Sequence, residues 1–120
     1  MERSKKMVSI AMKAMEDKKA EDIKIINIGE LSSIGDYFII ASGSNINQVH
    51  AIVDNIDEQL HKAGFPCKQV EGYDAGNWIL MDYGDIIVHV FDRDNRLFYN
   101  LERIWRDGKD EDLDAFREEA

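Results

Sequence analysis

Two apolar runs, Asn77–Asp82 and Asp85–Phe91, are separated by only Tyr83-Gly84, and this spacing constrains the fold more tightly than anything else in the chain. A two-residue loop containing glycine admits a tight antiparallel hairpin and little else. Counting back from that loop pairs Asp82 with Asp85, Leu80 with Ile87 and Trp78 with His89. Side chains alternate across a strand. One face therefore carries Trp78, Leu80, Asp82, Asp85, Ile87, His89 and Phe91, and the other Ile79, Met81, Ile86, Val88 and Val90, with Asn77 at its end. The second face is purely apolar and belongs under helices. The first mixes large aromatics with two carboxylates and an imidazole.

The remaining elements follow from periodicity. Met7, Ala11, Ala14 and Met15 recur at helical spacing in a stretch without Gly or Pro, which predicts a helix over 3–18. Residues 22–28 are β-branched and half alternating, and Tyr37–Ser42 is apolar throughout, as an interior strand should be. Asn45 is a good N-cap, with Gln48 in capping-box register, and Ile46, Val49, Val53, Ile56 and Leu60 form one apolar stripe ending at Gly64. Cys67–Glu71, led by Pro66, reads as a short edge strand. Asp94 or Asn95 opens a last helix that buries Leu97, Leu101, Ile104 and Trp105 and closes near Gly108. The order α-β-β-α-β-β-β-α predicts an α/β domain built on a single mixed five-stranded sheet, occupying residues 1–106.

A chain of 120 residues gives one such domain one core. The net charge of −9 argues against direct nucleic-acid binding, which needs clustered Lys and Arg, and suits a basic partner instead. Residues 107–120 hold seven acids against two bases and read as a solvated acidic tail. The single cysteine, Cys67, excludes an internal disulfide, and no His/Cys cluster has zinc-site spacing, so no metal or cofactor is expected and a reducing, cytoplasmic setting fits. No run approaches the ~20 apolar residues of a membrane span. Residues 1–19 carry six Lys/Arg and three acids, which suits a first helix better than a transit peptide.

The common catalytic motifs G-x-S-x-G, G-x-G-x-x-G, H-E-x-x-H and the P-loop are all missing. Ser42-Gly43-Ser44, at a strand-to-helix turn, is placed where a phosphate could be cradled. With Asp82 and Asp85 as metal ligands it defines one alternative, a metal-dependent nucleotidyltransferase. Those two acids might equally accept bonds from turn N–H groups, and His89 reads first as a satisfied sheet residue. Trp78 beside acids on a partly polar face has the composition of an interface anchor.

The run Asp36–Ser44, then Gln48-Val49, Glu71-Gly72, Gly76–Leu80, Asp82–Asp85, Val88–Phe91 and Arg96–Trp105, occur together in a pattern that resembles the ribosomal silencing factor family, also called Iojap, over residues 5–106. That resemblance implies a nucleotidyltransferase-like fold without transferase activity. It implies binding to ribosomal protein fourteen of the large ribosomal subunit, which blocks small-subunit joining and lowers translation when nutrients are short. It also implies homodimers, no membrane and, without a leader, a bacterial protein. Carried over residue by residue, the family's binding region falls on Glu71, Trp78, Asp82, Asp85, His89, Arg96 and Tyr99. The acidic tail lies outside the pattern. An interface at Trp78 implies that Trp78→Ala folds normally and loses binding.

Overall fold

A run such as Tyr37-Phe38-Ile39-Ile40-Ala41-Ser42-Gly43 has no polar alternation, so neither of its sides can face water. In the computed structural model, which describes residues 2–29, 35–93 and 109–117, this run is β2 (Tyr37–Gly43), and each of its residues is buried. It lies between β1 (Glu21–Asn27), which runs antiparallel to it, and β5 (Ile86–Asp92), which runs parallel. Beyond β5 come β4 (Trp78–Asp82) and the edge strand β3 (Gln69–Glu71). The five strands expected from the sequence thus form one mixed sheet. A sixth, β6 (Lys109–Glu111), joins it on the far side of β1, giving the order β3-β4-β5-β2-β1-β6.

Helices α1 (Glu2–Asp17) and α2 (Ile46–Lys62) cover one face. The Asn45 side chain caps α2 by accepting the Gln48 N–H at 2.8 Å. Ile46, read as the first residue of the buried stripe, is 44% exposed in the opening turn, and Ile52 is fully buried in the stripe instead. The helix expected after Asp94, with Arg96 and Tyr99 on it, lies outside the described residues.

The hairpin differs from its sequence reading by one residue. Tyr83 N–H donates to the Ile86 carbonyl at 3.0 Å, so the two loop residues are Gly84 and Asp85. Gly84 has φ +88 in the first loop position, the type II′ arrangement that matches strand twist. The Asp82 carboxylate secures the turn by accepting the Gly84 N–H at 2.8 Å. Moving a turn by one residue moves the register by two, which leaves every side chain on its own face. The strand residues therefore keep the faces read for them. Asp85 instead leaves the strand for the turn, where its carboxylate turns to Arg3 of α1 on the helical side. The pairs are not as read either. Trp78 lies opposite Phe91, Leu80 opposite His89 and Asp82 opposite Ile87, and the two aspartates are not opposed.

On the helical face Ile79, Met81, Val88 and Val90 pack with Met7, Met15, Ile52 and Ile56 into the main core. Behind the sheet Ile26, Ile28, Phe38, Ile40, Ile87 and Phe91 form a second cluster, with Trp78 and Leu80 packed at its margin. The acidic C-terminal segment, expected to be a solvated tail, is attached through residues 109–117. Besides β6 it forms the short helix α3 (Asp114–Arg117), and Phe116 is only 3% exposed, edge-on to Tyr37 at 5.7 Å. Its carbonyl accepts the Ser9 hydroxyl at 2.5 Å. One aromatic and one backbone ladder outweigh a charge count that spoke only of solvation.

Two stability tests follow. Phe116→Ala should cost about 3 kcal/mol in urea unfolding, as a buried aromatic does and a tail residue does not. A Cβ on Gly72, at φ +79, would stand 2.2 Å from the Trp78 carbonyl oxygen, whereas one on Gly84 would meet only the movable Lys68 ammonium at 2.7 Å. Gly72→Ala should therefore destabilise by several kcal/mol, and Gly84→Ala by about 1–2 kcal/mol.

Candidate functional site

Along β4 the burial alternates: Ile79 and Met81 are buried, and Trp78, Leu80 and Asp82 are half-exposed. The neighbouring edge strand continues the outward rows, with Glu71 opposite Leu80 and Gln69 opposite Asp82, both exposed. One strand inward, Ile87, His89 and Phe91 are buried. The accessible part of the mixed face is thus its β3–β4 margin, with an aromatic at one end, a leucine in the middle and carboxylates alongside. Of the residues picked out in the sequence, Glu71, Trp78 and Asp82 share this margin. Asp85 sits in the turn, and His89 lies beneath the surface. Leu80 and Gln69 were missed as site residues. The signal for Leu80 was there, two residues from Trp78 on the same face.

Trp78 and His89 are diagonal rather than direct neighbours, and they are bonded. The indole Nε1–H donates to His89 Nδ1 at 3.1 Å, and the indole stacks on Phe91 with centroids 5.4 Å apart. Indole nitrogen is a donor only, so Nδ1 must be the unprotonated nitrogen. Burial lowers the His89 pKa to about 4, which keeps the ring neutral with its proton on Nε2. Nε2 is buried and, among the described residues, has no hydrogen-bond partner.

The two aspartates are answered from within the chain. Asp85 accepts from Arg3 Nε at 2.8 Å, and the same guanidinium lies 4.9 Å over the Phe65 ring. Asp82 is bonded to the Gly84 amide. The Asp82 charge remains at the margin, whereas the Arg3–Asp85 pair is exposed on the helical side, where such pairs contribute little. Trp78 stands about 13 Å from Asp82 along the strand, four residues at strand rise.

The transferase alternative needs Ser44 and the aspartates in one place, and the sheet holds them at opposite ends. Tyr37 is level with Ile86, beside the aspartate turn, and Gly43 is level with Asp92, six residues on. That separation is about 20 Å. The Ser44 amide and hydroxyl are also already engaged, both donating to Gln48 Oε1, at 2.5 and 2.7 Å. Gln48 Nε2 donates in turn to the carbonyls of Lys18 and Lys19, each at 3.1 Å. A glutamine side chain thus takes up both Ser44 donors that a phosphate would use. Among the described residues no three His, Cys, Asp or Glu side chains converge as metal ligands.

His89 gives this region a pH signature. Its pKa is about 4 in the fold and 6.5 in the unfolded chain, so below pH 6.5 only the unfolded chain takes up the proton. The contribution is complete above pH 6.5 and is lost as pH falls toward 4, reaching about 3 kcal/mol. Urea unfolding at pH 7 and pH 4.5 should show a loss roughly 2–3 kcal/mol smaller in His89→Phe than in the parent. Equal losses would mean that His89 titrates normally.

Relatives of this chain are found by sequence and by structure. Residues 1–120 match the family model described as "Ribosomal silencing factor during starvation", so the match includes the acidic C-terminal segment. The ribosomal silencing factor RsfS of Bacillus subtilis is 43% identical over 110 residues, covering 92% of this chain and 93% of the relative. That of Halalkalibacterium halodurans is 37% identical over 112 residues, covering 93% and 96%. The crystal structure of protein CV0518 from Chromobacterium violaceum superposes with a TM-score of 0.81 at 33% identity, covering 82% of each chain. With a match along its whole length and an α/β sheet shared with a solved relative, this chain belongs to the ribosomal silencing factor family.

Proposed function

We propose that this protein is a translational repressor that binds the large ribosomal subunit through ribosomal protein fourteen and, by standing there, keeps the small subunit from joining. Its setting is the cytoplasm under nutrient limitation, and a homodimer is one form it takes. The observation that carries the reading is the half-exposed row Trp78, Leu80 and Asp82, flanked by exposed Glu71 and Gln69 on an edge strand. An aromatic anchor that is part sunk in its own protein and rimmed by carboxylates suits a basic, partly apolar protein surface. The family description, with its reference to ribosome silencing and starvation, supports the same partner. The chain blocks rather than reacts: the proposed activity is steric, and no residue is assigned a catalytic step.

The protein should co-sediment with isolated large subunits and not with small subunits; equal binding to both, or to neither, would refute the reading. Affinity should fall as salt rises, because exposed charges are screened over ~3 Å at 1 M. Trp78→Ala should cost about 1–2 kcal/mol of stability, less than a fully buried tryptophan, because the ring is only partly buried at the margin of its cluster. It should weaken large-subunit binding at least ~30-fold, the loss of a hot-spot anchor. A variant that binds normally despite lower stability would place Trp78 outside the interface.

A further inference from the structure

We infer that His89 is a positioning residue for Trp78: its Nδ1 lone pair fixes the direction in which the half-exposed indole meets the ribosome. The inference rests on the docking reading above and adds a residue that never touches the partner.

On the mixed face Phe91 is stacked with both Trp78 and His89, which are tilted to each other. Trp78 and Phe91 are inclined by 22°, His89 and Phe91 by 10°, and Trp78 and His89 by 32°. Stacking of this kind sets the plane of an indole and leaves its rotation within that plane soft. A single directional bond removes that freedom, and the 3.1 Å contact from Trp78 Nε1–H to His89 Nδ1 is such a bond. The acceptor is itself immobile. His89 is 3% exposed in an interior strand and packs against Phe38 with ring centroids 4.7 Å apart.

The other nitrogen shows what the imidazole is for. With Nδ1 accepting, the proton lies on Nε2, and that N–H is buried with no partner among the described residues. A phenylalanine of similar shape would pack there without an unsatisfied donor. Histidine at this position therefore trades stability for one well-placed acceptor. A residue retained for packing alone would show the opposite balance.

The test compares His89→Phe, which removes the acceptor and keeps the ring, with His89→Asn, whose Oδ1 stands in for Nδ1. Three readouts are taken: thermal stability, solvent exchange of the Trp78 indole N–H by ¹⁵N-edited NMR, and affinity for isolated large subunits. His89→Phe should melt at or above the parent temperature, exchange its indole proton about tenfold faster, and bind about tenfold more weakly. His89→Asn should melt lower and keep affinity within about threefold of the parent. In a Trp78→Phe background, His89→Phe should bring no further loss of affinity, since no indole remains to direct. A His89→Phe protein that loses stability and binding in parallel would make the histidine structural and overturn the inference. The same tenfold loss in the Trp78→Phe background would do so too. If the parent itself fails to bind large subunits, the docking reading falls, and unchanged indole exchange in His89→Phe would then refute the positioning role by itself.

Discussion

The parallel pairing of β2 with β5 is the contact on which the rest of this fold depends. It matches seven residues, from Tyr37 with Ile86 to Gly43 with Asp92, in the middle of the sheet. A parallel pair cannot be closed by a short loop and needs a crossover. Here α2 and then β3 and β4 make the connection, and α2 lies on the face where Ile79, Met81, Val88 and Val90 present only apolar side chains. Once β5 is fixed, its hairpin partner β4 has nowhere to lie but outward, and β3 must end the sheet. The margin that carries Trp78, Leu80 and Asp82 is thus a product of central pairing and tight-turn chemistry.

That dependence explains which parts were legible in the sequence. The faces of the hairpin could be read because alternation is insensitive to a register slip of two. The pairs could not, because Tyr83-Gly84 and Gly84-Asp85 both look like two-residue loops, and only the tertiary pairing of Tyr83 with Ile86 distinguishes them. β6 gave no signal. Lys109, Asp110 and Glu111 are all charged; they form a backbone ladder with β1, beside which Asn27 Nδ2 donates to Glu111 Oε1 at 3.3 Å. Phe116 did give one, a lone aromatic in an acidic stretch, and summed charge concealed it.

The site was legible in outline and not in depth. Trp78, Glu71 and Asp82 fell on the accessible margin, but the sequence did not reveal that β4 is half-exposed while β5 is covered. Burial of that kind is set by position in the sheet order, which no local pattern encodes. His89 shows the consequence: on the same face as Trp78, it sits one strand further in and is buried beneath the surface, bonded to the indole. The Ser44 turn shows the converse. The sequence placed it where an anion might bind, and Gln48, read as a capping residue, proves to accept from both Ser44 donors.

The bond between the Ser9 hydroxyl and the Phe116 carbonyl joins residues 107 positions apart. During synthesis the first helix is made early, yet the face it turns toward Phe116 stays open until residue 116 has been translated. Contacts of such long range are slow to form, because the intervening chain must first be brought to order. Completion of this core therefore waits on Phe116, and α1 keeps an open flank until that residue arrives.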